Sequence, residues 1–338
     1  MKKWKQLLLA AIITPLVALT TAATIKNKME QKEAEKLLKN EGYFCVDLQD
    51  HFSKITKVLK VLRTMERKNL ECIAPLNYGW DDAHMELSFL NQLQNPELRE
   101  AYEIGIDDNL IKFRNKTTNK EIYFILGHEV GINCRGKDQE FHLLSIGVDS
   151  EKIKHRECLE DSLDDIWAHD GMPILDHAFS DPQHNFRDVQ PGSEKGKEIE
   201  EILRKYKENL PAEWNAYCLP DVRNAMRFFG LGDYGDSNKK LEMLAEKLKQ
   251  EGIQIRIVPT SDIHFVTQNA DEELGKAFIA IPSTDINTTS CKKFVNSIYD
   301  AIKSGNYEPS RQYVSLFHFI PNWGLPKISY YLGGEKKK

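Results

Sequence analysis

The chemistry in this chain is carried by acids and histidines placed at or inside apolar, strand-like stretches. Asp47 lies in YFCVDL and His51 follows it. Glu129 follows EIYFIL, His142 sits inside FHLLSIGV, His177 follows MPIL, and Asp262 and His264 follow IQIRIV. Imidazole nitrogens and carboxylate oxygens converging at strand ends are the donor set for borderline divalent metals such as Zn, Mn or Fe. The placement predicts one catalytic rim in place of scattered surface histidines.

Helices must alternate with these strands to bring the groups together. GYFCVDL is followed by Ser53–Asn69, with Ile55, Val58, Leu59, Leu62 and Met65 at helical spacing, and then by the strand ECIAPL. That opening favours parallel pairing. Residues 80–120 are polar and mixed, with helices expected at Asp82–Leu93 and near Glu97–Ile104. A short polar turn, Arg135–Gln139, lies between EIYFIL and FHLLSIGV. Further helices are expected at Glu151–Trp167, Glu194–Asn209, Asp221–Phe229, Lys239–Gln250 and Cys291–Ser304, with KAFIAIP as another strand. His177–Ser193, rich in Pro, Gly, Asn and Asp, reads as a loop. The alternation predicts an α/β fold, either a barrel or a doubly wound sheet.

Composition narrows the function. A net charge of −5 over 338 residues argues against general nucleic-acid binding. Lys2, Lys3 and Lys5 precede an uncharged, mostly apolar run to Thr24, so residues 1–24 read as a signal peptide or an N-terminal membrane anchor. Thr21 and Ala23 suit cleavage after Ala23, and the basic start places the body outside the cytoplasm. Residues 25–40 read as a charged helix or tether. The six cysteines form no CxxC, which argues against a cysteine zinc site, and Cys45 and Cys72 read as small core residues. There is no GxxxxGK[ST] phosphate loop, no dinucleotide fingerprint and no GxSxG, and HEVGI lacks the second histidine of a zincin.

The ordered blocks resemble the PHP family (polymerase and histidinol phosphatase domains). That family opens on a strand ending D-L-H-x-H-[ST]; CVDLQDHFS has Asp47, then Gln49 where the first histidine belongs, then His51. The family's I-T-D-H block is met by IAPLNY, with Asn77 and Tyr78 in the last two places. G-x-E is met by LGHEV with Glu129, H-L-L-G by FHLLSIGVD with His142, V-L-A-H-P by PILDHAF with His177, and G-S-D-x-H by TSDIH with Asp262 and His264. Asp82 and His84 offer a shifted match to the second block.

The resemblance implies a distorted (β/α)7-type barrel over residues 41–310, followed by a C-terminal extension at 311–338, with metals at the C-terminal strand ends. It implies that Glu129, His142 and His177 hold one divalent metal, with Glu129 bridging to a second held by His51, Asp262 and Gln49. His264 would serve a third site that lacks its histidine at Tyr78. Catalysis would rest on Glu129, Asp262 and His264, with a metal-activated water hydrolysing a phosphate ester of a small metabolite or nucleotide. Asn77, Tyr78, His184 and Arg187 would face that substrate. Gln49 is a poorer zinc ligand than imidazole, so a second reading is a catalytically degenerate module that binds metal or a phosphorylated ligand. His155, His169 and His318 read as surface or core residues. Glu213, Trp214 and Asn215 read as structural, and Asp176 as a turn residue or a partner for an imidazole.

Overall fold

The computed structural model describes residues 30–52, 56–78, 89, 91–132, 141–154, 156–181, 187–216, 237–264 and 270–313. β1 (Tyr43–His51) and β2 (Cys72–Tyr78) are joined through the helix Val58–Lys68 and pair in parallel. β3 (Tyr102–Asp107), β4 (Leu110–Asn115) and β5 (Glu121–Ile125) form an antiparallel meander. β6 (Gly127–Ile132), β7 (Phe141–Ile146) and β8 (Met172–Asp176) follow. β9 (Ser180–Asp181) and β10 (Arg187–Asp188) make a separate short pair. Then come β11 (Ala212–Asn215), β12 (Ile257–Thr260), β13 (Ile263–His264), β14 (Ala277–Pro282) and β15 (Glu308–Arg311).

Thirteen of these strands form one mixed sheet with the order β12-β11-β8-β7-β6-β2-β1-β14-β15; β13 pairs β1, and the β3–β5 meander joins at β2. β12 lies parallel to β11, and two residues further on β13 lies parallel to β1, with Asp50 opposite Ile263 and His51 opposite His264. β7 runs antiparallel to both β6 and β8. Its first residues therefore share an edge with the last residues of β1, β2, β6, β8, β11 and β12. The strand–helix alternation is broken at this strand: β6 ends at Ile132 and β7 begins at Phe141, a separation too short for the crossover that a parallel pair needs.

Apolar burial holds this arrangement. The helix Val58–Lys68 turns Val58, Val61, Leu62 and Met65 into a core that includes Phe113, Phe124 and Phe278. Each such side chain contributes about 1.5–3 kcal/mol on full burial. The helix Cys291–Ser304 does the same with Phe294, Val295, Ile298 and Ile302 against Val46, Leu48 and Ile279. Ser290 caps its first turn by accepting from the Lys293 N–H. Gly305, at φ 76°, ends it by donating to the Ala301 and Ile302 carbonyls. Helices Leu159–Ala168, Glu194–Tyr206 and Ser237–Gln250 cover the β7–β8–β11 side.

Several local readings differ. The helix expected over Glu151–Trp167 begins only at Leu159. The strand expected from IQIRIV begins only at Ile257, although the Arg256 carbonyl already accepts the Ala212 N–H of β11. The helix expected near Glu97–Ile104 stops at Ala101 and continues as β3. The β3–β4 hairpin had a signal in Asp108–Asn109, a turn pair with Asp108 at φ 52° between alternating apolar residues. Within residues 25–40 a helix spans 30–38, with Ala34 buried. Among the described residues no helix is long and apolar enough to cross a membrane. Residues 1–24, on which the signal or anchor reading rests, lie outside the described residues, as does the extension from 314 onward.

Candidate metal centre

Glu129 is the third residue of β6, where alternation turns its side chain to the buried side. Its Oε1 is 2.5 Å from His142 Nδ1 and 3.6 Å from His177 Nε2, while its Oε2 is 3.2 Å from His51 Nε2. One carboxylate thus faces three imidazoles delivered by three other segments. His142 reaches it from the start of the reversed strand β7, directly opposite Asp176 at the end of β8. His177, the next residue, has its Nε2 3.0 Å from Asp176 Oδ2. The His142 and His177 rings lie 5.0 Å apart between centroids.

Glu129, His142, Asp176 and His177 each offer one donor atom, all within 4.8 Å of one another, and all four residues are buried. Two imidazoles and two carboxylates form a donor set of formal charge −2. Donors about 2 Å from an ion lie within about 4 Å of each other, so little contraction separates these atoms from a first shell. The residues present therefore fit a divalent cation.

The other side of Glu129 holds a second group. His51 Nε2 lies between Glu129 Oε2 and Asp262 Oδ1, the latter at 3.1 Å, and His51 Nδ1 faces the Leu76 carbonyl at 3.3 Å. Burial pushes the Glu129 carboxyl up. The charge on His142 and hydrogen bonds from all three histidines outweigh this and hold it well below the carboxylate range. Burial lowers His51 and His177, but Asp262 and Glu129 raise the first, and Asp176 and Glu129 the second, well above ordinary imidazole values. Asp50, fully buried beside this group, has no hydrogen-bond partner on either oxygen among the described residues; burial first and Asp47 second push it well up. Such a carboxyl must bind a proton or face a cation. Asp47, raised to about 7 by burial, accepts the Ser261 N–H at 3.0 Å and so ties β1 to the turn between β12 and β13.

A polar layer crosses the neighbouring strands. Thr260 donates toward Gln49 Oε1 at 3.2 Å and is in close contact with Glu213 Oε1. Glu213 Oε2 accepts the His177 backbone N–H at 2.8 Å, and Asn215 Nδ2 donates to Asp262 Oδ2 at 2.7 Å. Burial, then the nearby Asp176 and Asp262, push the Glu213 carboxyl well up. His177 and Asp262 both have positive φ, 24° and 48°.

The fold brings His51, Glu129, His142, His177 and Asp262 into one buried group. The hydrogen bond described for the Gln49 side chain goes to Thr260, and neither His51 nor Glu129 is its partner. His264 stands beside His51 in the β13–β1 register, and Asn77 and Tyr78 beside His128 and Glu129 in the β2–β6 register; the side chains of all three lie outside the described residues. Arg187 belongs to β10, away from the main sheet, and its side chain is likewise outside, as are the whole of His184, Asp82, His84, His155 and His318. His169 is exposed and donates to the Asp165 carbonyl at the end of its helix. Asp176, read from the sequence as a turn residue or a partner for an imidazole, does contact the His177 ring at 3.0 Å; what the sequence reading lacked is its place among the four donors. Asp50, Glu213 and Asn215 were missed.

No protein-family model matches this chain, and no curated protein matches it. Among solved structures it is similar to a two-domain protein from Bacteroides vulgatus containing a predicted PHP-like metal-dependent phosphoesterase, with a TM-score of 0.43 and 14% identity. The match covers 80% of this chain and 66% of that one, so the chain spans just under two thirds of that protein's length.

Proposed function

We propose that this chain is a metal-dependent phosphoesterase of the PHP type that hydrolyses a phosphate ester of a small metabolite or nucleotide. The observation that carries the reading is the buried convergence of Glu129, His142, Asp176 and His177. Donors of this kind, in the order of the family's blocks, support a divalent ion of the Zn, Mn or Fe class. The closing of the sheet through β12 and β13 onto β1 supports the distorted seven-stranded barrel that the family implies.

Glu129, His142, Asp176 and His177 would hold one ion. His51 and Asp262, with the second oxygen of Glu129, would hold another. Bound there, a divalent ion supplies a water of lowered pKa and neutralises charge on the phosphoryl oxygens. The protein's own work is to bring these donors from separate strands into one buried group. A phosphate dianion would enter from the shared strand edge. For the N-terminus, we infer that residues 1–24 anchor or export the body; N-terminal sequencing of the mature protein and its membrane partition test this.

The alternative, a module that binds without turnover, is favoured by one observation. Gln49 stands in the first-histidine place, and its carbonyl oxygen is engaged by Thr260. Elemental analysis of the full chain, purified without chelator, separates the readings when followed by a phosphate-ester screen. Two transition metals per chain with turnover support the phosphoesterase; metal without turnover supports the binding module. No metal after incubation with Zn or Mn refutes the phosphoesterase and the metal-binding form of the module. Gln49→His is expected to tighten metal binding if residue 49 faces the second site; unchanged binding would remove Gln49 from it.

A further inference from the structure

β11 supplies none of the expected ligands, yet it touches the two most constrained of them. His177 and Asp262 are the site residues with positive φ, at 24° and 48°. A residue other than glycine in this region is strained and persists only where its surroundings hold it. For both residues part of that hold comes from one strand. The Glu213 carboxylate accepts the His177 backbone N–H at 2.8 Å, and the Asn215 amide donates to Asp262 at 2.7 Å and to Glu213 at 3.3 Å. Residues two apart on a strand share a face, so the pair acts from one side on the ends of β8 and β12. The clamp is itself fixed. Asn238 accepts the Asn215 backbone N–H at 2.9 Å and donates to its carbonyl at 2.7 Å, and Thr260 holds the other Glu213 oxygen.

We propose that Glu213 and Asn215 are positioning residues that hold His177 and Asp262 in metal-binding geometry, an inference that rests on the metal reading above. Two features separate this from simple core packing. A buried carboxylate is a poor way to stabilise a core, since apolar residues of similar volume serve as well or better; Glu213 is only 1% exposed and Asn215 3%. The contacts also spare the donor atoms. Glu213 engages the backbone of His177 and leaves its ring to Glu129 and Asp176, while Asn215 takes Oδ2 of Asp262 and leaves Oδ1 facing His51.

The test is Co(II) binding to the full chain, by chelator competition and by the visible d–d spectrum, alongside thermal melting of the metal-free protein. Glu213→Ala is expected to weaken Co(II) binding by about 10–100-fold, the usual effect of removing a group that orients a ligand, and to alter the spectrum. Glu213→Gln keeps an acceptor for the His177 N–H and is expected to restore both. Asn215→Asp, which conserves volume but puts a like charge against Asp262, is expected to weaken binding comparably; it decides the matter should Glu213→Ala not fold. Folded variants with wild-type affinity and spectrum would overturn the clamp while leaving the metal reading standing. A wild-type chain that takes up no Co(II) would overturn the metal reading, and the clamp with it.

Discussion

Glu129→Gln removes the one charge that three histidines share while conserving shape. In the metal-free protein Glu129 makes two close charge-assisted contacts, at 2.5 Å to His142 and 3.2 Å to His51, and a longer one of 3.6 Å to His177. Contacts of the first kind contribute about 1.5–3 kcal/mol each, and breaking a buried pair by removing one partner costs about 3–5 kcal/mol. The glutamine also turns an amide N–H toward at least one imidazole that had faced an acceptor. The expected loss is therefore about 3–5 kcal/mol, which a domain stable by about 5–15 kcal/mol survives.

The loss must depend on pH. His51 and His177, whose folded pKa values are raised, contribute stability that is complete below the ordinary value of 6.5 and is lost as pH rises through their folded values. Glu129, whose pKa is depressed, contributes stability present above its ordinary 4.5 and lost as pH falls through its folded value. The difference between wild type and variant is thus largest between 4.5 and 6.5 and narrows above the folded histidine values. Urea unfolding of both proteins with chelator present, followed by tryptophan fluorescence at about pH 5.5, measures this directly. A difference under about 1 kcal/mol there would refute the shared-charge account.

Asp176→Asn is expected to lower metal affinity at least about tenfold without abolishing folding; unchanged stoichiometry and affinity by titration would take Asp176 out of the cluster. Gly127→Ala would place a methyl carbon 2.4 Å from the Ser145 carbonyl oxygen and 2.9 Å from Leu76. It should force β6 from β7, cost about 1–3 kcal/mol and loosen the Glu129–His142 pair two residues on, all visible in melting and in metal titration. Asp47→Asn should stabilise the metal-free protein at high pH. Burial raises the folded pKa to about 7 from 3.8, so the penalty is absent below 3.8, grows toward 7 and reaches up to about 4 kcal/mol above it. Denaturant midpoints that differ equally at pH 3 and pH 8, about one unit outside that window on either side, would show Asp47 is not the cause.

The chemistry was legible wherever a local pattern carried it. Apolar runs marked β1, β2, β8 and β14, the periodic stripes marked the helices Val58–Lys68 and Cys291–Ser304, and the acids and histidines at the ends of those runs were visible as a candidate donor set. Chain direction was legible only at the short polar turn before FHLLSIGV; elsewhere an apolar run reads the same in either sense and only its neighbours decide which way it lies. The reversal of β7 is what sets His142 opposite Asp176 and so adds a fourth donor to Glu129, His142 and His177. The roles of Glu213 and Asn215 were hidden for the same reason. As residues, a glutamate and an asparagine in a short strand are unremarkable; what they do follows from lying between β8 and β12, where their reach ends on His177 and Asp262. Residue types and their order along the chain determined which chemistry was available. Pairing across more than a hundred residues decided which of those groups meet, because contact between distant segments depends on register and direction that no local window contains.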